Sequence, residues 1–230
     1  EFLYQNLMIQ NNVIHVSHIS KVKKVLILGS SCIYPKYAQQ PIKEEYLLSG
    51  ALEETNKAYA VAKIAGLITA KAYHDQYGMN IISAMPTNLY GPHDNFDLKT
   101  SHVLPALIRK FHEAKPDKAV TLWGTGTPKR EFLFVDDLAD ALLFLMLNHN
   151  DPEHVNVGTG EDISIKELAK VIQDILGHKG EIIWDDTKPD GTPRKVLDVS
   201  KIKNLGWKPK TPLIEGIKET YAWYIAQQLK

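Results

Sequence analysis

Lys24-Val25-Leu26-Ile27-Leu28-Gly29-Ser30-Ser31-Cys32 is the stretch on which the fold turns. The run from Lys24 to Leu28 is short, continuous and apolar, which suits a strand buried on both faces, and Gly29 breaks it. Before it, Leu3, Leu7, Met8, Val13 and Ile14 recur every three or four residues and predict an amphipathic helix over 2–19. After it come a polar, proline-containing loop from Tyr34 to Asn56, a helical segment from Lys57 to Tyr77 closed by Gly78, and a strand from Ile81 to Met85 ended by Pro86. Strand, helix and strand in this order predict βαβ units: an α/β fold with a doubly wound, parallel, Rossmann-type sheet.

Beyond Gly91 the texture changes to helices (102–114, 136–148, 164–176 and 211–229) separated by loops punctuated with Gly and Pro, with short strands at 120–123, 155–157 and 181–184. The division expected is a first domain over 1–90 and a smaller α+β domain over 91–230, with a return of 136–157 to the first sheet left open. The chain opens on Glu1-Phe2-Leu3-Tyr4, without Met and already in helical period, so it reads as a fragment truncated at its N-terminus.

Composition narrows the function classes. The 230 residues are 44% hydrophobic, enough to fill a core, and 27 Lys+Arg balance 27 Asp+Glu. No global field draws such a chain to nucleic acid or to an acidic membrane, so an anionic ligand must be met locally. The single cysteine, Cys32, excludes an intramolecular disulfide, and the first residues lack the order of a signal peptide. The richest apolar run, Ala141 to Leu147, falls far short of the roughly 20 residues that cross a bilayer. A soluble, cytoplasmic protein is expected. His15 and His18 form the only close histidine pair and no further ligand joins them, so no metal site is expected.

Tyr59 and Lys63 lie four residues apart, on one face near the start of a helix. A cation beside a phenol, whose ordinary pKa is about 10, favours the phenolate and makes Tyr a usable acid–base group near neutrality. The bland alternative is a solvated helix face. Ser30 and Cys32 follow the first strand, at the carboxyl end where open α/β sheets place ligands; a turn residue and a small buried hydrophobe are their alternatives.

Ser30, Tyr59-x-x-x-Lys63 and the strand ending Pro86-Thr87-Asn88-Leu89-Tyr90-Gly91-Pro92 resemble an extended short-chain dehydrogenase/reductase. His93-Asp94-Asn95-Phe96, the segment from Ser101 to Leu107, that from Trp123 to Phe132 and that from Lys188 to Lys195 narrow the resemblance to the GDP-L-fucose synthases. The resemblance implies NADPH-dependent 3,5-epimerisation and 4-reduction of GDP-4-keto-6-deoxy-D-mannose to GDP-L-fucose. It implies that Tyr59 protonates the C4 oxygen, that Lys63 lowers the Tyr pKa and holds the nicotinamide ribose, and that Ser30 bonds the C4 carbonyl. Cys32 and His102 would remove and return the protons at C3 and C5, His102 having a helix cap as its plain alternative. The cofactor side would comprise Leu28, Gly29, Ser30, Ser31, Tyr59, Lys63, Pro86, Thr87, Asn88, Leu89 and His102. The GDP-sugar would be held by Lys110, Trp123, Arg130, Asp190 and Lys195. In these terms 1–90 is the C-terminal part of an NADP-binding domain, 91–230 is the substrate domain, and the family's homodimer would form through the first helix and the Tyr59 helix.

The chain departs from the pattern at its start, where no G-x-x-G-x-x-G appears; Gly124-Thr125-Gly126 is no substitute, because Pro128 and Arg130 follow where a helix should open. Two other readings therefore stay open: another sugar-nucleotide reductase or epimerase on the same scaffold, and a non-catalytic nucleotide-sugar-binding remnant without a cofactor loop.

Overall fold

The computed structural model describes residues 1–228. The elements, in chain order, are α1 (Phe2–Ile19), β1 (Val25–Leu28), α2 (Lys57–Tyr77), β2 (Ile81–Pro86), β3 (Asn88–Tyr90), α3 (Val103–Glu113), β4 (Val120–Trp123), β5 (Lys129–Arg130), β6 (Phe132–Phe134), α4 (Val135–Asn148), β7 (Val155–Val157), β8 (Ile163–Ser164), α5 (Ile165–Leu176), β9 (Ile182–Asp185), β10 (Arg194–Lys195), α6 (Ser200–Leu205) and α7 (Leu213–Gln228). Leu229, the last residue of the expected final helix, lies outside the described residues. The chain forms two compact units: one from 1–87, 137–160 and 196–209, the other from 88–136, 161–195 and Lys210 onward. The sequence reading left 196–209 with the second domain, whereas this stretch belongs to the first unit.

The first unit is built on a parallel sheet in the order β1-β2-β7, with Val25 opposite Ile81 and Ala84 opposite Val155. β2 is buried along its whole length, as a central strand covered on both faces must be. Pro86 is its last residue, where a missing N–H costs the ladder least, and the Thr87 amide resumes bonding to the Val157 carbonyl at 3.0 Å. α2 ends as expected: Gly78 adopts the left-handed conformation (φ 65°) that a helix C-cap favours. α1 crosses α2 through a polar notch in which Gln10 donates to the Ala62 carbonyl at 2.6 Å and its amide fills the space a side chain at Gly66 would need. The apolar stripe expected on α1 is only half used. Ile14 is buried, whereas Met8 and Val13 are exposed together with Phe2, Tyr4, Ile9, Val16 and Ile19.

β7 forms an edge of this sheet, and its Asn156 is fully buried and fully used. Its side chain accepts from the Tyr34 hydroxyl at 2.6 Å and donates to the Ile42 and Asp198 carbonyls, while its backbone N–H donates to Glu44. One residue thus ties the 34–56 loop and the returning 196–209 segment to the sheet.

The second unit surrounds one core, in which Leu104, Leu107, Ile108 and Phe111 of α3 recur at helical spacing and meet Leu168 and Ile172 of α5 and Ile217 and Tyr224 of α7. α5 starts one residue later than predicted because Ser164 is its cap: its hydroxyl accepts from the Glu167 amide and Glu167 returns the bond, a capping box. Small sheets complete the unit: β3 with β6, β4 with β9, and β10-β5-β8. Five of these strands (β3, β5, β6, β8, β10) and α6 were not anticipated. Among the described residues no helix is long and apolar enough to cross a membrane.

Candidate active site

In the first unit, Tyr59 stands in the opening turn of α2 and Lys63 one turn later, as i, i+4 spacing requires. Lys63 Nζ donates to the Leu28 carbonyl at 3.0 Å, at the end of β1, and lies 5.7 Å from the centroid of the Tyr59 ring. Ser30 follows in extended backbone (φ −162°, ψ 147°), caps the turn Ser31–Ile33 by accepting from the Cys32 amide at 3.2 Å, and is close enough for its hydroxyl to act on the Tyr59 phenol. Cys32 is half-buried and close enough for its charge to act on the same phenol. Ser30, Cys32, Tyr59 and Lys63 are therefore brought together at the carboxyl end of β1. Leu28 is exposed there, and Gly29 is buried where a Cβ would strike Met85 Sδ at 2.2 Å. Ser31, Pro86 and Thr87 are buried close by in sequence, in the wall of the strand ends.

The electrostatics differ from the expectation in direction. Burial pushes the Tyr59 phenol above its ordinary value, Cys32 adds to the rise, and the nearby Ser30 hydroxyl opposes it. The lowering expected of Lys63 is not what governs the phenol, because the ammonium is turned to a backbone carbonyl and is itself lowered by burial. The phenol is held as an acid with its proton on.

The second unit carries its own cluster. Trp123, at the end of β4, is 66% exposed and flanked by two ammonium groups, Lys110 Nζ at 5.5 Å and Lys188 Nζ at 5.9 Å from its ring. Lys110 also donates to the Thr121 carbonyl at 3.2 Å. Arg130 lines a pocket with Val103, Trp123, Pro128, Pro189 and Asp190. Lys195 is its register partner on the parallel strand β10, so the two residues leave their strands on the same face. Asp190, expected to meet substrate, is engaged within the protein: its carboxylate accepts from the Thr125 amide at 2.7 Å and the Thr125 hydroxyl at 2.8 Å, under Gly124 with φ 79°. Asn88 donates to the Glu131 carbonyl at 2.7 Å, and Leu89 follows it in β3. His102 is at the N-cap position of α3, yet its side chain makes no capping bond; it is exposed. Sequence reasoning passed over Lys188 as an individual residue, although it opens one of the segments that carried the resemblance.

A family described as the NAD dependent epimerase/dehydratase family matches residues 1–158. The chain is 59% identical over 228 residues to the probable GDP-L-fucose synthase 1 of Oryza sativa subsp. japonica, an alignment covering 98% of this chain and 70% of that protein. It is 52% identical over 239 residues to the GDP-L-fucose synthase of Escherichia coli (strain K12), covering 99% and 74%. Among solved structures, a GDP-6-OMe-4-keto-L-xylo-heptose reductase from C. jejuni superposes with a TM-score of 0.93 at 42% identity, covering 98% of this chain and 77% of that one. A GDP-L-fucose synthetase from Naegleria fowleri bound to NADP gives 0.93 at 32%, covering 98% and 73%.

Proposed function

Because the chain belongs to the NAD-dependent epimerase/dehydratase family, and has relatives among GDP-L-fucose synthases that are more than half identical to it, we propose that it makes GDP-L-fucose from GDP-4-keto-6-deoxy-D-mannose. The observation that carries this is the convergence of Ser30, Cys32, Tyr59 and Lys63 at the carboxyl end of β1, with Lys63 Nζ bonded to the Leu28 carbonyl and 5.7 Å from the Tyr59 ring. The residues at the end of β1 also fit a nicotinamide riboside: exposed Leu28 offers an apolar contact, while the Lys63 ammonium and Tyr59 hydroxyl are donors for ribose oxygens. Bound NADPH supplies the hydride that reduces C4.

The remaining work falls to side chains of this protein. Ser30 holds the C4 carbonyl oxygen by a hydrogen bond, and Tyr59 delivers the proton that this oxygen needs as hydride reaches the carbon. A carbonyl so polarised makes the protons on C3 and C5 acidic, and inversion needs one group to remove each proton and another to return it on the opposite face. Cys32 and His102 are assigned to that exchange, thiol and imidazole both having acidities in a useful range. Arg130 and Lys195 hold the diphosphate, a task suited to a planar guanidinium together with a second cation. Exposed apolar residues on α1 and α2 are where a second copy docks.

A second reading, 4-reduction alone, draws on the likeness to the C. jejuni heptose reductase. One assay tests both. With GDP-4-keto-6-deoxy-D-mannose and NADPH in D2O, the product is expected to be GDP-L-fucose carrying deuterium at C3 and C5. Tyr59→Phe should slow NADPH oxidation about 10²–10⁴-fold, and Cys32→Ser or His102→Asn should suppress deuterium uptake. Reduction with no deuterium at either carbon would leave a reductase; unchanged turnover in Tyr59→Phe would remove the assignment altogether.

A further inference from the structure

The chain between β3 and α3 delivers His102, which sits at the N-cap position of α3 and whose carbonyl accepts the first helical bond from the Ala106 amide at 3.1 Å. Just before it, Asp97 closes a tight turn. The Asp97 carbonyl accepts from the Ser101 amide at 2.8 Å, and its Oδ1 accepts from the Lys99 amide at 3.0 Å, the Thr100 amide at 3.1 Å and the Thr100 hydroxyl at 3.0 Å. Asn95 Nδ2 donates to Thr100 Oγ1 at 2.9 Å. The turn is thus tied within itself and ends on His102, so the place it takes depends on what holds the residues that lead into it.

Those residues are held by α7. Phe96, immediately before Asp97, stacks on Trp223 with ring centroids 6.1 Å apart and planes 24° apart, and lies 4.5 Å from the Tyr224 ring. Its carbonyl accepts from Arg109 Nη1 of α3 at 3.1 Å. Three residues earlier, the exposed His93 ring packs on the same Trp223 at 4.8 Å, and its backbone is in the left-handed region (φ 68°), uncommon for a residue with a side chain. Such a conformation persists where its surroundings hold it. One half-buried indole therefore touches the loop at two points, and its other side belongs to the core that α3, α5 and α7 share.

We propose that Trp223 is a positioning residue for the proton exchange at C3 and C5: it clamps the loop through His93 and Phe96, and the closed turn at Asp97 carries that placement to His102. The C-terminal helix then has a task in one half of the reaction only, because Ser30, Tyr59 and Lys63, which handle C4, are built on β1 and α2 and share no element with this loop. The inference rests on the role assigned to His102 above, and the experiment separates the two.

Amide hydrogen exchange of the cofactor-free protein reads the clamp directly, and deuterium gained at C3 and C5 per NADPH oxidised in D2O reads its effect on the chemistry. Trp223→Leu keeps an apolar side chain in the core but loses the flat ring. In it the Thr100 and Ser101 amides should exchange about tenfold faster, the factor to which losing aromatic pairs of this kind corresponds, and deuterium gained per NADPH should fall about 10–100-fold. Trp223→Phe, which keeps a ring, should restore most of both. His93→Gly is the variant that leaves the core alone: it removes one ring from Trp223, accommodates φ 68° and should move both readouts the same way. Unchanged exchange of the two amides in Trp223→Leu and His93→Gly overturns the proposal, and so does an equal fall in deuterium gain and NADPH oxidation, which a merely structural role would produce. A loosened loop with undiminished deuterium gain also overturns it, provided that His102→Asn abolishes the gain. If His102→Asn leaves the gain intact, the clamp stands on the amide exchange and the role of His102 is what falls.

Discussion

His154 shows how one buried side chain sets a condition on the fold. It is 8% exposed, its Nε2 lies 3.1 Å from the Tyr34 hydroxyl, and burial, reinforced by Lys201, pulls its pKa below the ordinary value. A histidine with a depressed folded pKa stays neutral while the unfolded chain accepts a proton. Its contribution to stability is therefore complete above about pH 6.5, the ordinary histidine value, and is lost as pH falls below that toward the folded value. Urea unfolding at pH 7.5 and 5.5 should show the loss, with a slope of up to about 1.4 kcal/mol per pH unit. In His154→Gln the pH dependence should shrink; an identical dependence would assign it to other groups. Neither His154 nor its neighbour Asn156 was legible in the sequence, because nothing in Val155-Asn156-Val157 says that the middle residue of an edge strand will serve four partners. Tyr59, Lys63, Ser30 and Cys32 were legible as a group because a helical period and a strand end, both local signals, fix where they lie.

Elements with long apolar periods were readable for the same reason. α3 and α5 bury residues three and four apart, so period and core agree, and both fall within a residue or two of expectation. β5, β8 and β10 have two residues each, too few for any period, and exist because distant segments pair. α1 misled in a different way: its stripe was real, yet much of it faces outward. Helix α7 shows a limit set by space. Gly216 is buried in its first turns, where an added Cβ would come within 2.3 Å of the Tyr90 hydroxyl oxygen and 3.0 Å of the Phe134 ring. Alanine favours helix by about 1 kcal/mol over glycine, but overpacking rigid rings costs about 1–3 kcal/mol. Gly216→Ala is therefore expected to lower Tm in a thermal melt, and a raised Tm would mean that the rings yield freely.

At the scale of the whole molecule, the exposed apolar residues of α1 and of α2 (Val61, Ile68 and Tyr77) make the proposed second copy testable. Sedimentation velocity should give twice the chain mass of 25.9 kDa, and Ile9→Glu combined with Ile68→Glu should give the monomer; a monomeric parent would end that proposal. The three-part composition of the first unit has a further consequence for the order in which the chain emerges from a ribosome. β2 is complete at Pro86, but its partner β7 ends at Val157 and the segment that fastens Asn156 ends at 209. With synthesis at about 5–20 residues per second, the roughly 70 residues from β2 to β7 take some 4–14 s, during which one edge of β2 stands open. The newborn chain must be shielded through that interval, and a pause in translation anywhere between the two strands lengthens its exposure to aggregation.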